Sequence, residues 1–416
     1  MKVYNTFTRR LEEFKPLRGK EVRLYTCGPS VYSPPHLGNF RTYVFEDVLK
    51  RVLLFKGYRV RHVMNITDVE DKAVREARGS MARMRAIARS NIGLFMKNSR
   101  ALNILPADHY PRATDNIPYM VRLIKRLLAK RLAYRDERGN IFFDASRFPG
   151  YGRLSHTRFR HPLAGRVLKD DYYQCEAGDW LLWKAWKPSD GDIWWLTSIG
   201  KGRPGWHIEC SAMATRFLGP RFDIHMGGVD NIFPHHENEI AESKGATGSM
   251  PARYWLHVRH LLIEGEKMSK SLGNYYTVDA IHSMGFGFDA IRAHLLSEHY
   301  RRRLNFTFRG LRATARELKR CKQCIAALRR RKFWKENPAA DSVAKAALAE
   351  FNAHLDNDLD IPAAMRCFCL FVRRVQRLIR KKKFGCGNAK TALETLRKMD
   401  SVLGLIWKGD NLKSFY

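Results

Sequence analysis

With 416 residues, 45% hydrophobic and 12% aromatic, the chain has material for two or three packed units around a large core. A formal charge of +34 and a pI near 10.1 point to a polyanion, nucleic acid before lipid, as partner. No run approaches the roughly 18 uncharged apolar residues of a membrane span, and the opening ten residues lack the apolar stretch of a secretion signal, so no membrane association and a cytoplasmic location are expected.

Residues 21–27 predict a short buried strand. A turn rich in Gly and Pro follows, then a helical period through Phe45, Val48, Leu49 and Leu53, then a second strand over 59–66. A strand-loop-helix-strand unit of this kind builds a parallel sheet that binds ligands at the carboxyl ends of its strands, which makes the loop after the first strand a candidate site. Residues 73–130 read as mainly helical. Residues 131–204 mix short strands, aromatics and loop residues without clear periodicity and read as an insertion. From Gly205 the pattern resumes, with a helix through the 210s, a strand over 222–226, a helix from about Pro234, and a strand near 254–263 that completes the sheet. Beyond about residue 310 the chain turns helical and basic, and residues 301–416 hold 28 Lys/Arg against 10 Asp/Glu. The expected class is α/β: a Rossmann-like parallel-sheet domain interrupted by a connective insertion and followed by an α-helical bundle.

Two segments have the composition of phosphate-binding elements. His36-Leu37-Gly38-Asn39 opens the helix after the first strand, where free backbone N–H groups and the positive end of the helix dipole face the cleft. Gly38 lets a nucleotide approach the backbone, and His36 and Asn39 can donate to phosphate oxygens. Lys267-Met268-Ser269-Lys270-Ser271 is a strand-exit loop whose two lysines can act as mobile charges on a departing pyrophosphate. Either segment alone is ordinary; together they define an adenylation site. Eight cysteines are too few for a secreted disulfide framework. Cys321 and Cys324 have the spacing of half a zinc site, but no second pair matches, so they are expected to be two helix cysteines, as are Cys367 and Cys369.

The paired elements resemble the HIGH and KMSKS motifs of class I aminoacyl-tRNA synthetases. Four further segments, residues 27–32, 65–72, 202–211 and 233–239, are similar to cysteinyl-tRNA synthetases, a likeness running from about Tyr4 to residue 310 and more loosely through 357–362. The resemblance implies ATP-dependent activation of L-cysteine, with Mg²⁺, and transfer to the 3′ end of tRNA-Cys. It assigns residues 1–130 and 205–263 to the two halves of the catalytic domain, 131–204 to the insertion, 264–309 to the KMSKS loop and stem-contact region, and 310–416 to a basic tRNA-binding bundle. His235 and Glu239, four apart on a predicted helix, share a face. With Cys27 and Cys210 they make a set suited to one Zn²⁺, which in the resembled family binds the substrate thiolate directly. Thr67, Trp206, His207 and Asp230 are implied to line the amino-acid pocket with Cys27. The tryptophans Trp180, Trp183, Trp186, Trp194 and Trp195 read as packing of the insertion. Three departures stand out: Met226 replaces a usual glycine, residues 184–200 fit the pattern poorly, and the text ends at Tyr416, where a small anticodon-binding domain is usual. A monomer is expected. Rival readings are a cysteine ligase of the same fold that uses a small amine, as in mycothiol synthesis, and a non-catalytic RNA-binding relative.

Overall fold

The computed structural model describes residues 1–157, 178–269, 272–330 and 336–408. A short hairpin, β1 (Lys2–Asn5) and β2 (Arg10–Glu13), precedes β3 (Glu21–Thr26), α1 (Leu37–Phe55) and β4 (Arg59–Met64). The helices α2 (Asp71–Glu76), α3 (Met81–Ala101) and α4 (Ile117–Ala129) lead into β5 (Ala133–Arg135), β6 (Ile141–Phe143), β7 (Trp180–Ala185), β8 (Trp195–Thr197) and β9 (Gly200–Pro204). The main sheet resumes with α5 (Trp206–Leu218), β10 (Phe222–Gly228), α6 (Glu237–Thr247) and β11 (Ala252–Val258).

The main sheet has the order β11-β10-β3-β4 and is parallel throughout, with Leu24 of β3 opposite Ile224 on one side and His62 on the other. β3 and β10 are neighbours, yet the chain leaves β3 toward β4 on one flank and β10 toward β11 on the other. The loops at their carboxyl ends therefore part, and a crevice opens at this switch point. One face of the sheet, with Leu24, Ile224, Met226 and Leu256, packs on Phe40, Val44 and Val48 of α1. The opposite face, with Tyr25, Val63 and Trp255, packs on Ile124 of α4 and Ile208 and Ala212 of α5. Met226, the unusual residue of its segment, is fully buried in the first of these cores.

The insertion is a five-stranded antiparallel sheet, β5-β6-β7-β9-β8. Its strands are short, and all three residues of β6 are buried, so no inside-outside alternation is available to read from the sequence. The expected single strand over 254–263 is two. β11 ends at Val258, Arg259 and His260 are exposed, and β12 (Leu261–Ile263) joins a second sheet, antiparallel to β13 (Glu266–Lys267) and parallel to β14 (Leu304–Phe306). The break falls at the polar pair Arg259-His260, which separates two short apolar runs.

Between β13 and β14 lie α7 (Val278–Ser283) and α8 (Phe288–Leu295), and after β14 the helices α9 (Phe308–Arg330), α10 (Pro338–Asp356), α11 (Ile361–Arg380) and α12 (Cys386–Leu403) form the bundle. The side chain of Asp360 caps α11 by accepting from Ala363 N, with Pro362 in the first turn, a favoured start. The bundle docks on α1 through buried charge. Asp47 of α1 binds Arg51 at 2.8 Å and also Arg292 of α8. Arg51 in turn donates to Ser401 O at 2.9 Å, and Arg292 to Leu403 O at 2.7 Å. At the other end Asp358 accepts from Tyr4 N at 2.7 Å and from the Tyr300 hydroxyl at 2.6 Å, tying the N-terminal strand to the helical region.

Candidate active site

Cys27 follows β3 directly, and its N–H donates to Met226 O of β10 at 3.1 Å, so the residue sits on the switch point. The next position must be glycine, because a Cβ on Gly28 would lie 1.8 Å from Asn65 O. Cys210 comes from the second turn of α5. His235 belongs to a wide turn over Ile232–His236 that runs into α6, and Glu239 to the first turn of α6 itself. One ligand atom from each of Cys27, Cys210, His235 and Glu239 lies within 4.8 Å of the others, and all four residues are buried. The residues expected from sequence to share a metal are thus brought together from both halves of the sheet.

The electrostatics fit a cation. Burial drives the Cys210 thiol up, but its hydrogen bond with Cys27 and the nearby His235 charge bring it down to about 6. Burial likewise opposes the charges of Glu239 and His235. The histidines His225 and His235 nevertheless hold Glu239 at about 2, and Glu239 and Cys210 raise His235 to about 10. Burial, then the bond to Cys210, pushes Cys27 well above the ordinary thiol range. Glu239 Oε1 lies 3.0 Å from His235 Nε2 yet accepts no well-aligned hydrogen bond, so a buried carboxylate oxygen faces the cluster with acceptor capacity to spare. Two sulfurs, an imidazole nitrogen and a carboxylate oxygen are the donor types that Zn²⁺ takes in tetrahedral sites.

A second quartet, Cys27, His225, His236 and Glu239, is equally compact and shares two members with the first. Its two histidines are already engaged. His225 Nε2 is 2.8 Å from Glu239 Oε2, and His236 bridges Cys27 Sγ at 3.2 Å and His257 Nε2 at 2.8 Å. These contacts set His225 against Glu239 and His236 against Cys27 of the first quartet. None of His225, His236 and His257 carries a recognisable signature of its own in the sequence. The available signal was histidine in fully buried strand positions on two adjacent strands, β10 and β11.

The ring of Trp206 stacks on His235 with centroids 3.8 Å apart, and His207 Nδ1 lies 2.8 Å from His235 Nδ1. Thr67 is buried and pairs through its main chain with the loop after β3, where Val31 N donates to Thr67 O at 3.0 Å. Asp230 is exposed in a turn at the carboxyl end of β10, folded over Gly228. Of the expected pocket residues, Trp206 and His207 thus contact the cluster through His235.

His36 caps α1. Its Nδ1 accepts from Asn39 N at 3.2 Å while Asn39 Oδ1 accepts from His36 N at 3.0 Å. This capping box fixes the tautomer with the proton on Nε2 and leaves Nδ2 as the donating end of Asn39. A Cβ on Gly38 would sit 3.3 Å from Met268 Cε, so the two phosphate elements touch across sequence. Leu37 N donates to Tyr276 O at 2.9 Å, and the ring of Tyr275 stands edge-on to His36. Asn274 closes the second element by accepting from Ser269 N at 2.7 Å and donating to Lys267 O at 3.2 Å. Lys267 is exposed; Lys270 and Ser271 lie outside the described residues.

The insertion's tryptophans divide. Trp180 and Trp183 are core, and Trp180 Nε1 donates to Glu242 of α6 at 2.8 Å. Trp186 and Trp194, each 36% exposed, lie at the surface of the insertion and pack around the Lys201 ammonium at 3.7 and 4.2 Å.

A crevice at a parallel-sheet switch point, a capped helix start and a lysine loop closing on it define a class I aminoacyl-tRNA synthetase. Residues 13–316 match the family described as tRNA synthetases class I (C) catalytic domain. The chain is 45% identical to a cysteine--tRNA ligase of Chlamydia felis over 415 residues, covering 97% of this chain and 86% of the relative. It is 40% identical to that of Protochlamydia amoebophila, covering 98% and 86%. The chain belongs to the cysteine--tRNA ligase family. Among solved structures, a methionyl-tRNA synthetase of Mycobacterium tuberculosis in complex with methionyl-adenylate shares the fold at TM-score 0.65 and 18% identity, over 93% of this chain and 90% of that one. No helix among the described residues is long and apolar enough to cross a membrane.

Proposed function

We infer that this chain activates L-cysteine with ATP and transfers it to the 3′ end of tRNA-Cys. The observation that carries the reading is the convergence of Cys27, Cys210, His235 and Glu239 at the end of β3, the strand whose following loop leads into the His36-capped helix. In the first step the cysteine carboxylate attacks the ATP α-phosphate in line, and Mg²⁺-bound pyrophosphate leaves. In the second, a ribose hydroxyl of the terminal tRNA nucleotide takes the acyl group and AMP leaves. No protein nucleophile is required. His36 through Nε2–H, Asn39 through Nδ2, and Lys267 and Lys270 through their ammonium groups stabilise the charge that builds on the phosphates, with Gly38, Met268, Ser269 and Ser271 shaping the closure.

Cys27, Cys210, His235 and Glu239 hold Zn²⁺ in this reading, with His225, His236 and His207 fixing ring and carboxylate orientation. A zinc ion supplies a Lewis acid with a strong preference for thiolate, the property that separates cysteine from serine. Thr67, Trp206 and His207 wall the side-chain pocket, and the Asp230 carboxylate at its mouth complements the substrate ammonium. A site requiring one specific bond can discriminate by about 10⁴, whereas shape alone yields about 10- to 200-fold. All these groups come from one chain, so a monomer suffices, working in the cytoplasm on its tRNA.

Cysteine-dependent exchange between pyrophosphate and ATP tests the assignment. Exchange with cysteine but not serine, lost after zinc chelation and restored by zinc, is the expected result. Equal exchange with both amino acids, or activity indifferent to the chelator, contradicts it.

A further inference from the structure

Glu317 and Cys321 stand one turn apart on α9 and leave the same face, where α11 brings Cys369 against them. A carboxylate oxygen of Glu317 and the sulfurs of Cys321 and Cys369 all lie within 4.8 Å of one another. This is not the grouping that the Cys321/Cys324 spacing indicates. Cys324 turns into the bundle, its sulfur 3.9 Å from Val372 O, and Cys367 Sγ donates to Ala347 O at 3.3 Å. Cys321 and Cys369 instead border a cavity of about 500 Å³ between α9, α11 and the end of α8.

Three features of this trio suit a cation. The two thiolates are soft donors that favour Zn²⁺ over Mg²⁺ or Ca²⁺, and a carboxylate oxygen is a ligand that zinc also accepts. The adjoining cavity can deliver the ion and a water for the fourth position. Glu317 is held from behind, with Arg373 Nη2 at 2.9 Å and Nε at 3.2 Å from Oε1, and Arg320 Nη1 at 3.4 Å from Oε2. Such outer hydrogen bonds orient a ligating carboxylate. Three negative ligands and a divalent ion leave one negative charge, beside which the Arg373 and Arg320 guanidiniums stand.

We propose that Glu317, Cys321 and Cys369 form a zinc site that bridges α9 and α11, separate from the catalytic cluster. Binding displaces the two thiol protons to solvent and fixes α11, whose exposed face carries Arg374 and Arg377, against α9. The test uses the full chain loaded with zinc and desalted, with metal per chain measured by elemental analysis. Cys369→Ser is expected to lower zinc by about one equivalent relative to the unmodified chain, and Glu317→Gln to weaken retention of that equivalent. In a Cys27→Ala/Cys210→Ala background, cobalt should still give thiolate-to-metal absorption, and adding Cys369→Ser should abolish it. Equal zinc in the unmodified chain and Cys369→Ser, absent cobalt absorption in that background, or recovery of Cys321 and Cys369 as a disulfide from reducing buffer would each overturn the proposal. None of these readouts depends on tRNA charging, so failure of the catalytic reading would leave them unaffected.

Discussion

His36 and Asn39 bind each other's backbone before they bind anything else, so each offers a donor already aimed out of the helix start. Removing one such donor from a site of developing charge costs on the order of 10²- to 10³-fold in rate. His36→Ala and Lys267→Ala should therefore lower kcat for pyrophosphate exchange by roughly that factor while leaving the KM for cysteine little changed; a loss confined to KM would contradict their roles. Glu242 supports a prediction about pH. Burial raises its carboxyl to about 8, against hydrogen bonds from Ser211 and Trp180. The unfolded chain releases this proton near the ordinary value of 4.5, so between there and about 8 the folded form binds the extra proton and stability falls as pH rises. Glu242→Gln can keep both bonds without the charge, and its Tm should decline less across that window; parallel Tm profiles would show that Glu242 contributes nothing. At this scale the sequence was most informative where a motif has a chemical demand. Cys27, Cys210, His235 and Glu239 were legible because dispersed thiols and a His/Glu pair recur within long recognisable segments. His225 and His257 were not, because a lone histidine within a buried strand has no local signature and gains meaning only when β10 and β11 pair.

α1 links the two ends of the molecule. Its first residue reaches Tyr276 beyond the lysine loop, and Arg41 is buried while donating to Leu295 O at 2.5 Å and to Arg259 O, Glu298 O, His299 O and Arg302 O. Burial lowers that guanidinium to about 10, so it remains charged at neutral pH. One turn and a half further on, Asp47 serves Arg51 and Arg292, whose charges outweigh burial and keep its carboxyl below the ordinary range. Taking one partner from such a buried group costs about 3–5 kcal/mol. Asp47→Asn should unfold in denaturant with a free energy reduced by about that amount, and a change within error would mean the cluster adds little. The elements themselves were legible in proportion to their length. The long helices and the first parallel unit follow from periodicity and a capping pattern. The insertion's short strands, the break after Val258 and the wide turn before α6 do not, since each is decided by packing partners far away in sequence.

Over the whole molecule residues 301–416 hold 28 Lys/Arg against 10 Asp/Glu, about half of the net charge of +34, and Arg312, Arg316, Arg374 and Arg377 are exposed on α9 and α11. If these contact phosphates, tRNA affinity should drop steeply with salt, on the order of 10³-fold between 50 and 200 mM for six or more neutralised phosphates. Each of Arg374→Ala and Arg377→Ala should shallow the log-log slope by about one, and a salt-independent affinity would exclude this face. The polyanionic character of the partner was readable from composition. How the bundle docks on α1 was not, because it depends on Arg51 reaching Ser401 O, 350 residues away, and Arg292 reaching Leu403 O, 111 residues away. The most direct measurement is the charging of tRNA-Cys with labelled cysteine by the purified chain in zinc-replete buffer. Cysteinyl-tRNA should accumulate, and serine should give none detectable at matched concentration. Cysteine-dependent pyrophosphate exchange without any charged tRNA would instead place the chain among ligases that use a small amine, and would contradict the account.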